Sequence, residues 1–179
     1  MPCEVEILTR TFQKVKEEQT MPPKTDNRTN GGRFEQELAI ILAKAGFWVH
    51  VLQQNKAGQP ADLIVMKGYF AALIDCKVIS DDSGFPLRRV EENQRCAMKS
   101  FSEKTNWPCF FAFKLPDGSI HFGNAMHVFC CIKLGKKSIS DETIRKVYYS
   151  PEDWIAIAEE QSAALKRYDE EYMEDLDDR

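Results

Sequence analysis

The fold is decided by residues 59–78, whose sequence is QPADLIVMKGYFAALIDCKV. Two apolar runs of strand length flank Gly68, a pattern that predicts a β-hairpin. A two-residue turn with Gly68 in its first central position and Tyr69 in its second is typical of type II′. That turn fixes a register with three pairs: Lys67 with Phe70, Val65 with Ala72, and Asp62 with Asp75.

This register places two carboxylates face to face. Directly opposed residues on one sheet face have Cβ atoms about 5 Å apart, and like charges there are destabilising. A divalent cation between Asp62 and Asp75 would remove the conflict, because hard cations bind carboxylate oxygens. Lys77 lies on the same strand face as Asp75 and could reach the ion. The alternative is that Asp62 caps the strand edge and that Asp75 and Lys77 form a solvent-facing pair.

The composition favours one globular domain with decorations in a chain of 179 residues. No apolar run reaches the length of a membrane span, and the N-terminus, MPCEVEILTR, is acidic where a signal peptide would be basic. We therefore expect a cytoplasmic protein. Residues 151–179 hold 11 acidic and 3 basic side chains, whereas residues 1–150 hold 17 acidic and 21 basic ones. A mildly basic body is compatible with a polyanionic partner.

Three other chemistries, disulfide formation, zinc binding and nucleotide binding, find little support in the motifs. The six cysteines lack Cys-x-x-Cys spacing, which favours reduced core thiols. A zinc set built from His121, His127, Cys130 and Cys131 fits no common pattern. The run from Gly135 to Ser138 resembles a phosphate loop but lacks a Gly at position 130, so no nucleotide cofactor is expected.

The N-terminal third predicts a helix over residues 3–19 and then a polar, basic, mobile loop over residues 24–33. That loop is either a linker or a flexible arm for phosphates. A helix follows from Phe34 and ends at Gly46. Glu35 in its first turn either favours the helix dipole or supplies a third acid to the hairpin site.

The rest of the chain alternates strands and helices. We expect a strand over residues 47–53, a helix over 88–104, a hairpin over 108–122 and a short helix over 125–134. Gln94 interrupts the apolar stripe of the helix over 88–104, either as a satisfied core amide or as a residue facing the active end of the sheet. Ser150 begins a last helix, which is expected to fade into a solvated or disordered acidic end.

The order of the predicted elements resembles the PD-(D/E)XK nuclease superfamily. These elements are a helix with an early Glu (Glu35), a strand, a strand with Asp62 and a strand with Asp75-Cys76-Lys77. A closer similarity, in order and spacing, is to the RecU-type Holliday junction resolvases. It rests on Phe85-Pro86-Leu87, Gln94 and Gly135-Lys136-Lys137-Ser138-Ile139. The resemblance covers residues 31 to about 147. It implies an α/β fold of the restriction-endonuclease type, with a central mixed β-sheet flanked by helices. The expected domains are an N-terminal helix and basic arm (1–30), the nuclease domain (31–150) and an acidic C-terminal helix (151–179).

The resemblance also implies a metal-dependent endonuclease that acts on branched DNA as a homodimer. Mg²⁺, for which Mn²⁺ would substitute, is held by Asp62, Asp75 and the Cys76 backbone carbonyl, and Glu35 holds a second ion or orients the water. Lys77 acts on the attacking water, and Gln94 helps to order the site. The expected DNA phosphate contacts are Lys24, Arg28, Arg33, Arg88, Arg89, Lys136 and Lys137.

Two features depart from the family. Asp75 stands where the family usually has Glu, and residues 46–62 are too few for the protruding stalk of the RecU-type enzymes. Three alternatives therefore stay open: a junction resolvase, a nuclease for flaps, ends or duplex DNA in restriction or mobile-element processing, and a catalytically inactive DNA- or protein-binding member.

Overall fold

The computed structural model describes residues 27–53, 59–81 and 83–177. The strands are β1 (Trp48–Val51), β2 (Leu63–Lys67), β3 (Phe70–Val78), β4 (Phe85–Pro86), β5 (Cys109–Lys114), β6 (Ile120–Asn124) and β7 (Ser138–Ile139). The helices are α1 (Asn27–Lys44), α2 (Glu92–Thr105), α3 (Ala125–Lys133), α4 (Asp141–Val147) and α5 (Pro151–Asp177), with a 3₁₀ turn at Leu87–Arg89.

The centre of the molecule is a five-stranded mixed sheet in the order β1-β2-β3-β5-β6. Its β3–β5 pair is parallel, and α2 forms the crossover between these two strands. The remaining neighbours are antiparallel, as expected for hairpins. The expectation of an α/β fold with a central mixed sheet and flanking helices is confirmed.

The hairpin of β2 and β3 has the predicted turn. Gly68 adopts φ 57°, as the first central position of a type II′ turn requires, and the register pairs Lys67 with Phe70 and Val65 with Ala72. The ladder ends at the pair of Leu63 and Ile74, one position short of Asp62. The predicted pairing of Asp62 with Asp75 thus falls just outside the regular ladder, which confirms two of the three predicted pairs.

Two hydrophobic clusters cover the two faces of the sheet. One includes Phe111 and Phe113 of β5, Met98 of α2 and Val128 of α3. The other joins α1 and α5 to the opposite face and is centred on Trp154, which is 1% exposed. The ring of Trp154 lies 4.6–5.7 Å, centroid to centroid, from the rings of Phe47, Phe70, Phe110 and Phe122.

Helix α1 begins earlier than predicted. It starts at Asn27, so the expected mobile loop over residues 24–33 is wrong from Asn27 onward. The glycines at 31 and 32 disfavour a helix by roughly 1 kcal/mol each. However, extending a helix that is already packed through Phe34 costs far less than starting one. The predicted helix over residues 3–19 and Lys24 lie outside the described residues.

Two other helix boundaries differ from expectation. The helix predicted from Arg88 begins only at Glu92, because the 3₁₀ turn ends in an extended Val90 (φ −85°, ψ 107°). At the other end of the chain, α5 stays helical to Asp177, through the segment expected to be solvated or disordered. The predicted start of α5 is confirmed, since Ser150 Oγ accepts the Asp153 N–H at 3.1 Å.

A second, two-stranded sheet was not predicted. In it β4 pairs antiparallel with β7, Phe85 opposite Ile139 and Pro86 opposite Ser138. The Leu87 N–H extends the pairing by donating to the Lys137 carbonyl at 2.9 Å. This short ribbon fixes the segment that follows β3 against the segment that follows α3.

Two further expectations can be compared with the described part of the chain. None of its helices is both long enough and apolar enough to cross a membrane. The cysteines at 76, 96, 109, 130 and 131 are free thiols, but the expected core position is wrong for Cys96 and Cys130, which are exposed. Cys3 lies outside the described residues.

Candidate active site

The candidate site is built around Asp75, a carboxylate that is 0% exposed. It lies near the end of β3, on the sheet face that α2 covers. Burial is the largest influence on its ionisation and raises the pKa of Asp75 to about 7. The charge of Lys77 opposes this rise, and the charges of Asp62 and Glu35 add to it. The alternative of a solvent-facing pair is therefore wrong.

Asp75, Lys77 and Gln94 form a closed set of contacts. Gln94 Nε2 donates to Asp75 Oδ1 at 2.7 Å, and Lys77 Nζ donates to Gln94 Oε1 at 3.3 Å. Lys77 Nζ also lies 2.6 Å from Asp75 Oδ2. This contact is an ion pair whose angle does not meet the criteria for a hydrogen bond, so Asp75 Oδ2 has no hydrogen-bond partner among the described residues. Gln94 is half-buried and both atoms of its amide are bonded, as the satisfied-amide alternative requires, but their partners are the charged side chains at the end of β3.

Asp62 immediately precedes β2 and reaches across to β3. Its Oδ2 accepts the Cys76 N–H at 2.7 Å, and its own N–H donates to the Ile74 carbonyl at 3.0 Å. The strand-cap alternative for Asp62 is correct for this one oxygen. Burial raises the pKa of Asp62, while the Cys76 N–H and the charge of Lys77 lower it.

Glu35 completes the cluster from α1. It is half-buried, next to the fully buried Phe34 that anchors the helix to the sheet. Burial raises the pKa of Glu35, the charge of Asp62 raises it further, and Lys77 lowers it. The Cys76 thiol has a raised pKa for the same reasons, burial first and then the charges of Asp62, Asp75 and Glu35. Direct contacts therefore join Asp75, Lys77 and Gln94, and the Cys76 N–H links Asp62 to β3. Glu35 is near enough for the charges of Asp62 and Lys77 to shift its pKa.

The donor chemistry of this cluster fits a hard cation. No group of three His, Cys, Asp or Glu side chains within residues 27–53, 59–81 and 83–177 is arranged to hold a metal by itself. Mg²⁺ needs no such cage, because it is commonly bound by one or two carboxylates together with water and substrate phosphate. Asp62, Asp75 and the Cys76 carbonyl supply oxygens of this kind, and a metal at Asp75 Oδ2 would take the place that the Lys77 ammonium now occupies at 2.6 Å.

Four of the predicted phosphate-binding residues line two cavities. A cavity of about 400 Å³ is lined by Cys76 and Arg89, among others, and a cavity of about 720 Å³ is lined by Arg88, Lys136 and Lys137. Arg89 also donates to the Val78 carbonyl at 2.8 Å and lies over the ring of Phe85.

Of the other predicted phosphate contacts, Arg33 is exposed on α1. Lys24 and the side chain of Arg28 are outside the described part of the chain. Arg95 and Ser83, which were not expected from the sequence, also line the larger cavity, together with Ser138. Helical spacing could have indicated Arg95, since it follows Glu92 by three positions.

The alternative zinc set does not assemble. His127 Nδ1 is 3.0 Å from the Tyr148 hydroxyl, and its Nε2 is 3.9 Å from Cys131 Sγ. Cys130 is exposed, whereas Cys131 is buried. These residues form part of the packing between α3 and the segment before α5.

The sheet, its flanking helices and the carboxylates at the end of β3 define a restriction-endonuclease-like fold. The structure is similar to that of Archaeoglobus fulgidus Hjc, a Holliday junction resolvase from an archaeal hyperthermophile, with a TM-score of 0.54 and 20% sequence identity. The match covers 67% of this chain and 95% of that chain. No protein-family model and no curated protein matches the sequence.

Proposed function

We propose that this protein is a metal-dependent DNA endonuclease of the PD-(D/E)XK superfamily. One observation carries the proposal: a fully buried Asp75 is bonded by Gln94 and covered by Lys77, beside a second carboxylate at the end of a central strand. A buried charge cluster of this kind costs stability, so a purely structural role would not account for it. Clusters of carboxylates with raised pKa values are typical of functional sites.

Each residue has a role that follows from its position. Asp62, Asp75 and the Cys76 carbonyl would hold Mg²⁺ or Mn²⁺, and Glu35, which joins the cluster from α1, would hold a second ion or orient the attacking water. When bound, the metal would polarise the scissile phosphate and lower the pKa of the water. Lys77 would stabilise the water as it loses its proton. Gln94 holds Asp75 and Lys77 at fixed positions through its amide.

The proposed substrate is branched DNA, and the proposed role is Holliday junction resolution in recombination or repair. The structural similarity to a junction resolvase supports this role, as does the ordered set of RecU-like sequence elements. A two-fold dimer would supply the two opposed cuts that a junction requires. We propose that the protein works in the cytoplasm, with no nucleotide cofactor.

A nuclease for flaps, ends or simple duplex DNA is the second candidate. The observation that favours it is the short connection between α1 and β2, in which β1 already occupies Trp48–Val51. That connection leaves too few residues for the stalk of the RecU-type enzymes. A catalytically inactive binding protein is the third candidate.

Cleavage of a labelled mobile four-way junction, beside linear duplex and flap substrates, tests the proposal. Each substrate is incubated with Mg²⁺, with Mn²⁺ and with EDTA. Paired nicks on opposite strands of the junction alone, dependent on metal, are expected. Metal-dependent cutting of all three substrates would support the endonuclease proposal and contradict the junction-resolvase role. No cutting with either metal would contradict both proposals.

A further inference from the structure

The larger cavity lies outside the carboxylate cluster and has its own composition. Its wall includes four cationic side chains and one carboxylate, Glu92. We call this cavity the basic cleft, and its polar lining residues are Arg88, Glu92, Arg95, Lys136, Lys137, Ser83 and Ser138.

Within the described part of the chain, three of the four cations lack an acidic partner. Arg95 is paired with Glu92 on the same helix face. By contrast, Arg88, Lys136 and Lys137 have no carboxylate within 4.0 Å among the described residues, although lysines elsewhere, such as Lys67 and Lys114, are paired. The cleft therefore presents uncompensated positive charge, which favours an anionic ligand.

The cleft is assembled by the ribbon of β4 and β7. Arg88 follows β4, and Lys136 and Lys137 precede β7, so the antiparallel pairing brings together cations that are about 50 residues apart in the chain. The bond from the Leu87 N–H to the Lys137 carbonyl fixes the two basic segments side by side. The backbone pairing thus fixes the relative positions of the residues that carry these charges.

The basic cleft adjoins the smaller cavity beside the end of β3. The smaller cavity, which contains Cys76, and the basic cleft share Ser83 and Pro86 as lining residues. A linear anion in the smaller cavity could therefore continue past these two residues into the cleft, although none of Glu35, Asp62, Asp75, Lys77 and Gln94 lines either cavity. The two volumes, about 400 and 720 Å³, are large compared with one phosphate group.

We propose that the basic cleft binds the sugar–phosphate backbone of a DNA strand at a point away from the scissile phosphate. Arg88, Lys136 and Lys137 contact the phosphates, and Arg95 joins them when a phosphate competes with Glu92. Such contacts position the strand without reading its sequence. This inference rests on the proposed function, since it specifies how the substrate of that site is held.

Binding without catalysis provides the test. The full chain with Lys136→Gln and Lys137→Gln is compared with the parent in EDTA, by fluorescence anisotropy on labelled duplex and four-way junction DNA across a salt series. The slope of log K against log salt changes by about 0.9 for each phosphate contact, so we expect its magnitude to fall by about 2 and affinity to fall roughly tenfold. The control is Lys104→Gln with Lys166→Gln, which changes the net charge equally outside the cleft.

Three results would overturn the inference. Equal losses in both double variants would show an effect of net charge only. Unchanged binding in the cleft variant would show that no phosphate lies there. Displacement of DNA by inorganic phosphate or a mononucleotide at submillimolar concentration would indicate a small-anion site.

Cleavage assays separate this inference from the proposed function. In Mg²⁺ the cleft variant should show a raised KM and an unchanged kcat. If the parent binds DNA through the cleft but never cuts it, the endonuclease proposal is wrong and the proposal that the cleft binds DNA is retained. If the parent cuts DNA and the cleft variant binds and cuts equally well, only the cleft proposal fails.

Discussion

Gln94 donates a 2.7 Å hydrogen bond to Asp75, although the two residues lie 19 positions apart, on a helix and on a strand. The same amide accepts from Lys77. Gln94 therefore sets the distance between the buried carboxylate and its lysine, without being a ligand itself.

Replacement of Gln94 tests this positioning role. In Gln94→Ala we expect kcat to fall by about 10- to 100-fold, the usual cost of losing a residue that orients a metal ligand, with little change in DNA affinity. Gln94→Met keeps the volume and should lose as much activity, because it lacks the amide. Full activity in the Met variant would show that Gln94 only fills space.

Asp75→Asn and Lys77→Ala should each abolish cleavage and leave DNA binding in EDTA intact. Asp75→Asn removes a charged oxygen donor, and Lys77→Ala removes the cation that acts on the water. Single-turnover cleavage with excess enzyme separates a loss of chemistry from a loss of binding. Retained activity in either variant would contradict the assigned site.

The ionisation of Asp75 should also be visible in the stability of the metal-free protein. Its pKa, about 7 when folded, lies above the usual value of 3.8. Between these values the folded state holds a proton that the unfolded state has released, so the free energy of unfolding falls as pH rises. The fall over this range should be on the order of a few kcal/mol.

Urea unfolding in EDTA at pH 5 and pH 8 measures this effect. The parent should lose more stability between the two pH values than Asp75→Asn, which has no carboxyl to titrate at this position. Parallel pH profiles for the two proteins would contradict the raised pKa.

Gly84 tests the ribbon that assembles the basic cleft. A Cβ at this position would lie 2.3 Å from the Ile139 carbonyl oxygen, and φ is +83°. Gly118 has almost the same φ, +87°, but a Cβ there would meet no atom of the described residues within 4 Å, so Gly118→Ala is a matched control for backbone strain alone. We expect Gly118→Ala to cost about 1–3 kcal/mol of stability and Gly84→Ala to cost more.

The same pair of variants connects the ribbon to DNA binding. Gly84→Ala should also weaken binding in EDTA, because it separates Arg88 from Lys136 and Lys137. Gly118→Ala should bind as the parent does. Equal stability and equal binding in the two variants would mean that the close approach of β4 to β7 is unimportant.

Trp154 tests whether α5 is part of the domain. Its ring is buried among four phenylalanine rings, so Trp154→Ala should cost about 3–5 kcal/mol of unfolding free energy. Tyr168→Ala, at a side chain that is 70% exposed on the same helix, should change stability by less than about 0.5 kcal/mol. Similar midpoints in chemical denaturation would show that α5 is only an appendage.

The sequence predicted those features that follow from local rules. The glycine in the turn set the register of β2 and β3, and the alternation of side chains placed Asp75 and Lys77 on one face. The ribbon of β4 and β7 could not be predicted in this way, because each strand has two residues and the partners are far apart in the chain. The sequence offered the strand cap by Asp62 only as an alternative, because the bond to the Cys76 N–H depends on where the ladder stops, one residue before the expected pair.

The parallel pairing of β3 with β5 has a consequence for folding. Asp75 and Lys77 lie on the strand before the crossover, and Gln94 lies within the crossover helix. The hairpin can form from local contacts, whereas parallel strands must wait for a long loop to close. Gln94 lies within the connection that closes this loop, so we expect its contact with Asp75 to form late in folding and to be absent from a partly unfolded chain.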